Sequence, residues 1–134
     1  MKTALRVLDA YSIIAYLEGE KGSDTVVEVF KSARDSGKSL LLSVVNWGEV
    51  YYIILREEGQ KRADEVSNLI STLPVEIVPA DLEIAKKAAE YKATKKMSYA
   101  DCFAAALAKL RKAELVTGDE EFKGVAKDIK IQWI

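Results

Sequence analysis

Four carboxylates in this chain stand where chemistry could be done: Asp9, Glu49, Asp101 and Asp119. Asp9 follows Leu5-Arg6-Val7-Leu8, and Asp119 follows Leu115-Val116-Thr117-Gly118, so each comes just after a segment that reads as a buried strand. Glu49 lies within Val44-Val45-Asn46-Trp47-Gly48-Glu49-Val50-Tyr51-Tyr52-Ile53. On a helix its neighbours three and four positions away are Val45, Asn46, Tyr52 and Ile53, with no basic residue within a turn. A glutamate in so apolar a stretch loses hydration and needs a partner or a cation. Asp101 leads Cys102-Phe103-Ala104-Ala105-Ala106-Leu107-Ala108, a helix that is small and apolar on every side and therefore buried all round. Four converging carboxylates repel one another unless a cation neutralises them. Hard oxygen donors select magnesium or manganese over zinc or copper. One or two such ions can activate a water and stabilise both oxygens of an in-line phosphoryl displacement.

Each acid also has a plain structural reading. Asp9 or Ser12 could cap a first helix, and Asp119 a short later one. Ser98-Tyr99-Ala100-Asp101 fits the capping-box pattern, in which the acid reaches back to the helix start. Glu49 could occupy a solvated edge. Ser12 and Thr117 could instead support the site, orienting a carboxylate or a water. Gly118 permits a tight turn, and Glu120 and Glu121 read as solvated surface.

Composition narrows the chemistry further. The chain has no histidine, which removes the Ser-His-Asp triad, the Cys-His pair and all histidine metal sites. Its single cysteine allows neither an internal disulfide nor a cysteine-rich zinc site. The formal net charge is −1, so no global positive field attracts nucleic acid. With the four acids set aside the remainder carries +3, compatible with an acidic pocket in a mildly basic shell. Asn and Gln occur only twice each while Lys and Glu abound, a profile that leans towards a heat-adapted prokaryote. No apolar stretch approaches the roughly 20 residues of a membrane span and none resembles a secretory signal, so a cytoplasmic protein is expected.

The elements that must position these acids alternate between short apolar runs and amphipathic segments. Strands are expected at residues 5–8, 40–42, 75–78 and 114–116, with a short fifth at 129–133. Helices are expected at 11–18, 24–36, 46–57, 60–72, from Asp81 to about residue 95, and from Ser98 through Leu110. Gly37 suits a C-terminal cap, Gly59 breaks two helices, and Pro74 stops the fourth. Such alternation predicts an α/β fold, a mostly parallel sheet with helices on both faces, formed by one domain over residues 1–134. Active residues in such sheets gather beyond the carboxyl ends of the strands, where Asp9 and Asp119 fall.

The segments Val7-Leu8-Asp9-Ala10-Tyr11, Ser43 to Val50, Ser98 to Ala106 and Leu115 to Phe122 together resemble the PIN-domain nucleases. Within them the chain is similar to the VapC-type toxins of prokaryotic toxin–antitoxin pairs, with all four acids in order. The resemblance implies a PIN-like parallel five-stranded sheet and a Mg2+- or Mn2+-dependent endoribonuclease. It implies that Asp9, Glu49, Asp101 and Asp119 bind the metal and position the attacking water, with Ser12 and Thr117 in support. It further implies an RNA substrate, a homodimer, and a small cognate antitoxin that blocks the site. Cys102 departs from the small or aliphatic residue often found there, and a buried thiol packs much the same way. Lys95, Lys96 and Lys123 flank the acids in sequence and are candidates for RNA phosphate contacts, or ordinary solvated lysines. Trp47, Tyr51 and Tyr52 could stack on bases or pack against protein. A receiver-type module would need an adjacent acidic pair after the first strand, and an aspartyl-nucleophile phosphatase a second Asp where Tyr11 stands. The readings that stay open are a toxin, an RNA-processing PIN nuclease, and a catalytically silent PIN-fold binding protein.

Overall fold

The computed structural model describes residues 5–134, so the first four residues of the expected domain lie outside the described residues. The order of elements is β1 (Arg6–Leu8), α1 (Ala10–Glu18), α2 (Ser23–Ser36), β2 (Leu40–Ser43), α3 (Val44–Glu58), α4 (Gln60–Thr72), β3 (Val75–Val78), α5 (Leu82–Thr94), α6 (Tyr99–Leu110), β4 (Glu114–Thr117), a 3-10 helix (Glu120–Val125) and β5 (Ile131–Trp133). The five strands form one sheet in the order β3-β2-β1-β4-β5, and every pairing is parallel. Chain order reverses direction across the sheet between β1 and β4, which opens a crevice beyond their carboxyl ends.

The period-two alternation of strand side chains assigns alternate residues to opposite faces. Val7, Leu41 and Leu115 pack on one side with Ala88, Phe103 and Leu107 of α5 and α6. Leu8, Leu42 and Val116 pack on the other with Ile13, Phe30, Val50 and Val66 of α1 to α4. Both faces are thus covered, which is why the inner strand β2 reads as an unbroken apolar run, Leu40-Leu41-Leu42. Helix α6 is buried from Asp101 through Ala108 and lies against β1, β2 and β4. Its alanines let the helix backbone approach the sheet closely, and this brings its first turn to the crevice.

Helix α3 begins two residues earlier than the periodicity predicts. Ser43 ends β2 and caps α3 at once, its hydroxyl accepting from the Val45 N–H at 3.2 Å. The direct junction places Glu49 in the second turn, close to the sheet's carboxyl edge. The last strand is shorter than expected, because Ile129 turns into the core ahead of it. Among the described residues, no helix is long and apolar enough to cross a membrane.

Candidate metal centre

Asp9 follows β1 at the crevice and is buried, 1% exposed. It caps α1: Oδ1 accepts from the Ser12 N–H at 2.9 Å and from the Ser12 hydroxyl at 2.9 Å. In return the Ser12 Oγ accepts from the Asp9 N–H at 3.1 Å, completing a capping box. Oδ2 accepts from the Thr117 hydroxyl at 2.6 Å. Thr117, the last residue of β4, also accepts from the Asp119 N–H at 3.0 Å. One buried hydroxyl therefore ties the ends of β1 and β4 together and sets the two aspartates side by side. Burial pushes the Asp9 carboxyl up to about 6, against the Thr117 and Ser12 hydrogen bonds that lower it, with the Asp119 charge adding to the rise.

Asp119 caps the 3-10 helix through one oxygen, Oδ1 accepting from the Glu121 N–H at 2.9 Å. Capping and site-building are compatible here, because the second oxygen remains free of that bond. Asp101 shows the hydroxyl half of the expected capping box, the Ser98 Oγ accepting from the Asp101 N–H at 3.1 Å. Its carboxyl is pushed up to about 7, first by burial and then by the charges of Asp119, Asp9 and Glu49. Glu49 is raised as well, by burial and by Asp119, with an opposing hydrogen bond from Asn46. Each of these three shifts includes a neighbouring carboxylate among its causes, so the acids share one electrostatic field.

A cleft of about 390 Å³ opens here. Glu49, Asp101 and Asp119 line it, while Asp9 lies beneath. The tightest grouping is Asp101, Asp119 and Glu121, which each offer a carboxylate oxygen within 4.8 Å of the others. Glu121 is exposed, as expected, and the 3-10 turn after Asp119 also sets it at the rim of the cleft, whereas Glu120 does not line the cleft and pairs with Lys123 at 3.5 Å. All donors in the group are carboxylate oxygens, none of them in an ion pair among the described residues, and this set fits a hard divalent cation.

Asn46 was part of the sequence motif but not singled out as a site residue. Wholly buried, it donates from Nδ2 to the Ala100 carbonyl at 3.0 Å and reaches Glu49 Oε1 at 3.5 Å. It joins α3 to the start of α6, fixing Glu49 relative to Asp101. The available signal was its position three residues before Glu49 on one helix face. Gly118 matters for a different reason from the expected tight turn. Its φ is not positive; what it supplies is space, since a Cβ there would lie 2.9 Å from Cζ of Tyr11.

Lys95, Lys96 and Lys123 are exposed and do not line the cleft. Neither do Trp47, Tyr51 or Tyr52. Trp47 stacks on Tyr51 at 5.2 Å, and the Tyr51 hydroxyl donates to Asp64 at 2.9 Å, so this pair braces the α3–α4 hairpin. Tyr52 lies under the Arg56 guanidinium.

A prediction follows for the rim. Glu121→Gln should raise the magnesium concentration for half-maximal activity by roughly tenfold, as loss of a supporting carboxylate does at other metal sites. Glu120→Gln should leave it unchanged. Equal behaviour of the two variants in a metal titration would remove Glu121 from the metal site.

The sequence matches the family model for the PIN domain over residues 6–128. No curated protein sequence matches the chain. Among solved structures, VapBC2 from Rickettsia felis, bound to a DNA fragment from their promoter, superposes with a TM-score of 0.80 at 14% identity, covering 97% of this chain and 98% of that one. DNA-bound VapBC from Salmonella typhimurium gives 0.76 at 20% identity, covering 97% and 98%. The Sarcin-Ricin loop cleaving toxin VapC20 of Mycobacterium tuberculosis gives 0.74 at 15% identity, covering 93% and 97%. At these identities the likeness is one of fold.

Proposed function

From its place in the PIN-domain family, to which this chain belongs across residues 6–128, we infer that the protein is a divalent-metal-dependent endoribonuclease and the toxin of a VapBC-type pair. The family is one of nucleases, and the observation that carries the reading is the convergence of Glu49, Asp101 and Asp119 over Asp9 in one cleft. A silent binding protein would have no use for so repulsive a cluster. The structural neighbours that are toxin–antitoxin complexes support a toxin over an RNA-processing enzyme.

In this reading Asp101, Asp119 and Glu121 hold magnesium or manganese, with Glu49 across the cleft. When bound, the ion would supply charge neutralisation and Lewis acidity for in-line attack of water on an RNA phosphodiester. Asp9, fixed by Ser12 and Thr117, keeps a negative charge beneath the site and holds β1 and β4 in register. Asn46 fixes the distance between the helices that carry Glu49 and Asp101. Lys95, Lys96 and Lys123, outside the cleft, serve as contacts for RNA phosphates farther along the strand. The partners belonging to this proposal are a second copy of the chain, a small antitoxin from the adjacent gene, and RNA in the cytoplasm.

Expression in a bacterial host should arrest growth, with bulk RNA cut and DNA left intact. Co-expression of the adjacent small gene should restore growth, and its product should co-purify. Harmless expression with no adjacent antitoxin gene would favour the processing-enzyme reading.

A further inference from the structure

Carboxylates line the cleft together with the apolar Ala10, Ile14 and Ile53 and the aromatic Tyr11. Among the described residues, no lysine or arginine lines the cleft. Tyr11 is 42% exposed although it follows Asp9 by only two residues. Its ring is set against Gly118, the residue before Asp119, so closely that a Cβ at position 118 would collide with it. A partly exposed aromatic ring is thereby held beside the loop that leads into Asp119. Tyr99, the other exposed tyrosine of this region, rests edge-on against Phe103 at 5.1 Å and does not line the cleft. Among the cleft's lining residues, Tyr11 is the one aromatic.

We propose that Tyr11 is the platform on which the base of the nucleotide adjoining the cleaved phosphodiester stacks, so that the substrate at this point is unpaired or flipped out of a helix. The inference rests on the ribonuclease reading and adds to it the form of the substrate. A phosphate held by the divalent cation that the carboxylates would bind carries its nucleoside on a short tether, and Tyr11 is the aromatic ring lining the same cleft. A nucleobase offers an apolar π-face whatever its identity, so stacking tolerates sequence. A paired base inside a duplex has both faces covered by its neighbours and cannot stack on a side chain. The half-exposed ring, immobilised in advance against Gly118, loses little freedom on stacking.

The test begins by mapping the cleaved bond on an unstructured RNA oligonucleotide and then removing the base on either side of it in turn. For wild type, one of the two abasic substrates should show a KM raised at least about tenfold, the scale of one lost stacking contact. Tyr11→Ala should show the same loss on the intact substrate and no further loss on the abasic one, while Tyr11→Phe should behave as wild type. A 2-aminopurine at that nucleotide should lose emission on binding wild type and keep it with Tyr11→Ala, a readout independent of turnover. Tyr11→Ala with a wild-type KM and an undiminished abasic penalty would overturn the platform while leaving the nuclease intact. Failure of wild type to cut any RNA would overturn the nuclease reading, and the platform with it.

Discussion

Asp101→Asn should lower the rate of RNA cleavage in magnesium at least about a hundredfold, comparable to removing one preorganised electrostatic group from an active site. Glu49→Gln and Asp119→Asn should do the same, because each removes a charge that faces the cleft. Asp9→Asn should be as inactive for a partly different reason. Both Asp9 oxygens accept hydrogen bonds, from Ser12 on one side and Thr117 on the other. An amide can replace only one of those acceptors, so this variant should also lose on the order of 1–3 kcal/mol of stability. Single-turnover rates with melting curves for each variant separate the two effects. If Asp101→Asn kept full activity, the role of that residue would be confined to the helix start beside Ser98.

The second large effect concerns stability without metal, where the two roles of Asp101 predict opposite signs. Its folded carboxyl titrates at about 7, above the ordinary value of 3.8. The folded state therefore holds that proton more tightly than the unfolded chain does. Below pH 4 the raised value costs nothing; the cost grows as pH rises through 7 and is then constant. Asp101→Asn should accordingly stabilise the chelated protein at pH 8, and the gain should vanish towards pH 4. Allowing for solvent screening at the mouth of the cleft, the gain is on the order of 1–2 kcal/mol, or about 3–8 °C in Tm. Magnesium, binding only the folded form, should raise the wild-type Tm more than that of the variant. Loss of a mere cap would instead cost on the order of 1 kcal/mol at every pH. A variant less stable than wild type in chelator, with an equal response to magnesium, would make Asp101 a cap.

Much of the frame is legible in the residues themselves. Unbroken apolar runs such as Leu40-Leu41-Leu42 mark strands covered on both faces, and Gly37, Gly59, Asp81 and Ser98 mark helix ends by their backbone or capping chemistry. The sheet, its parallel pairing and the helices on both faces follow from that alternation. What local patterns do not carry is the path of the chain across the crevice. Glu121 reads as surface and is exposed, but only the 3-10 geometry past Asp119 brings its carboxylate near Asp101. Ser43 acts as strand end and helix cap together, so periodicity alone starts α3 too late. For Trp47 and Tyr51 the residues alone leave base stacking and protein packing both open, and a stacked ring pair with a hydroxyl bond to Asp64 decides for packing in the hairpin. Tyr11 carries no signal of its own until Gly118 is seen beneath it.

The central claim is that these carboxylates act through a divalent cation on RNA. The most direct measurement is cleavage of an unstructured RNA by wild type and by Asp101→Asn purified in parallel, in magnesium or manganese, in excess chelator, and after the ion is restored. Wild type should cut in the presence of the ion, stop in chelator and resume on restoration, while Asp101→Asn stays inactive throughout. Undiminished cleavage by wild type in excess chelator, with the Asp101→Asn preparation silent and contamination thereby excluded, would contradict it.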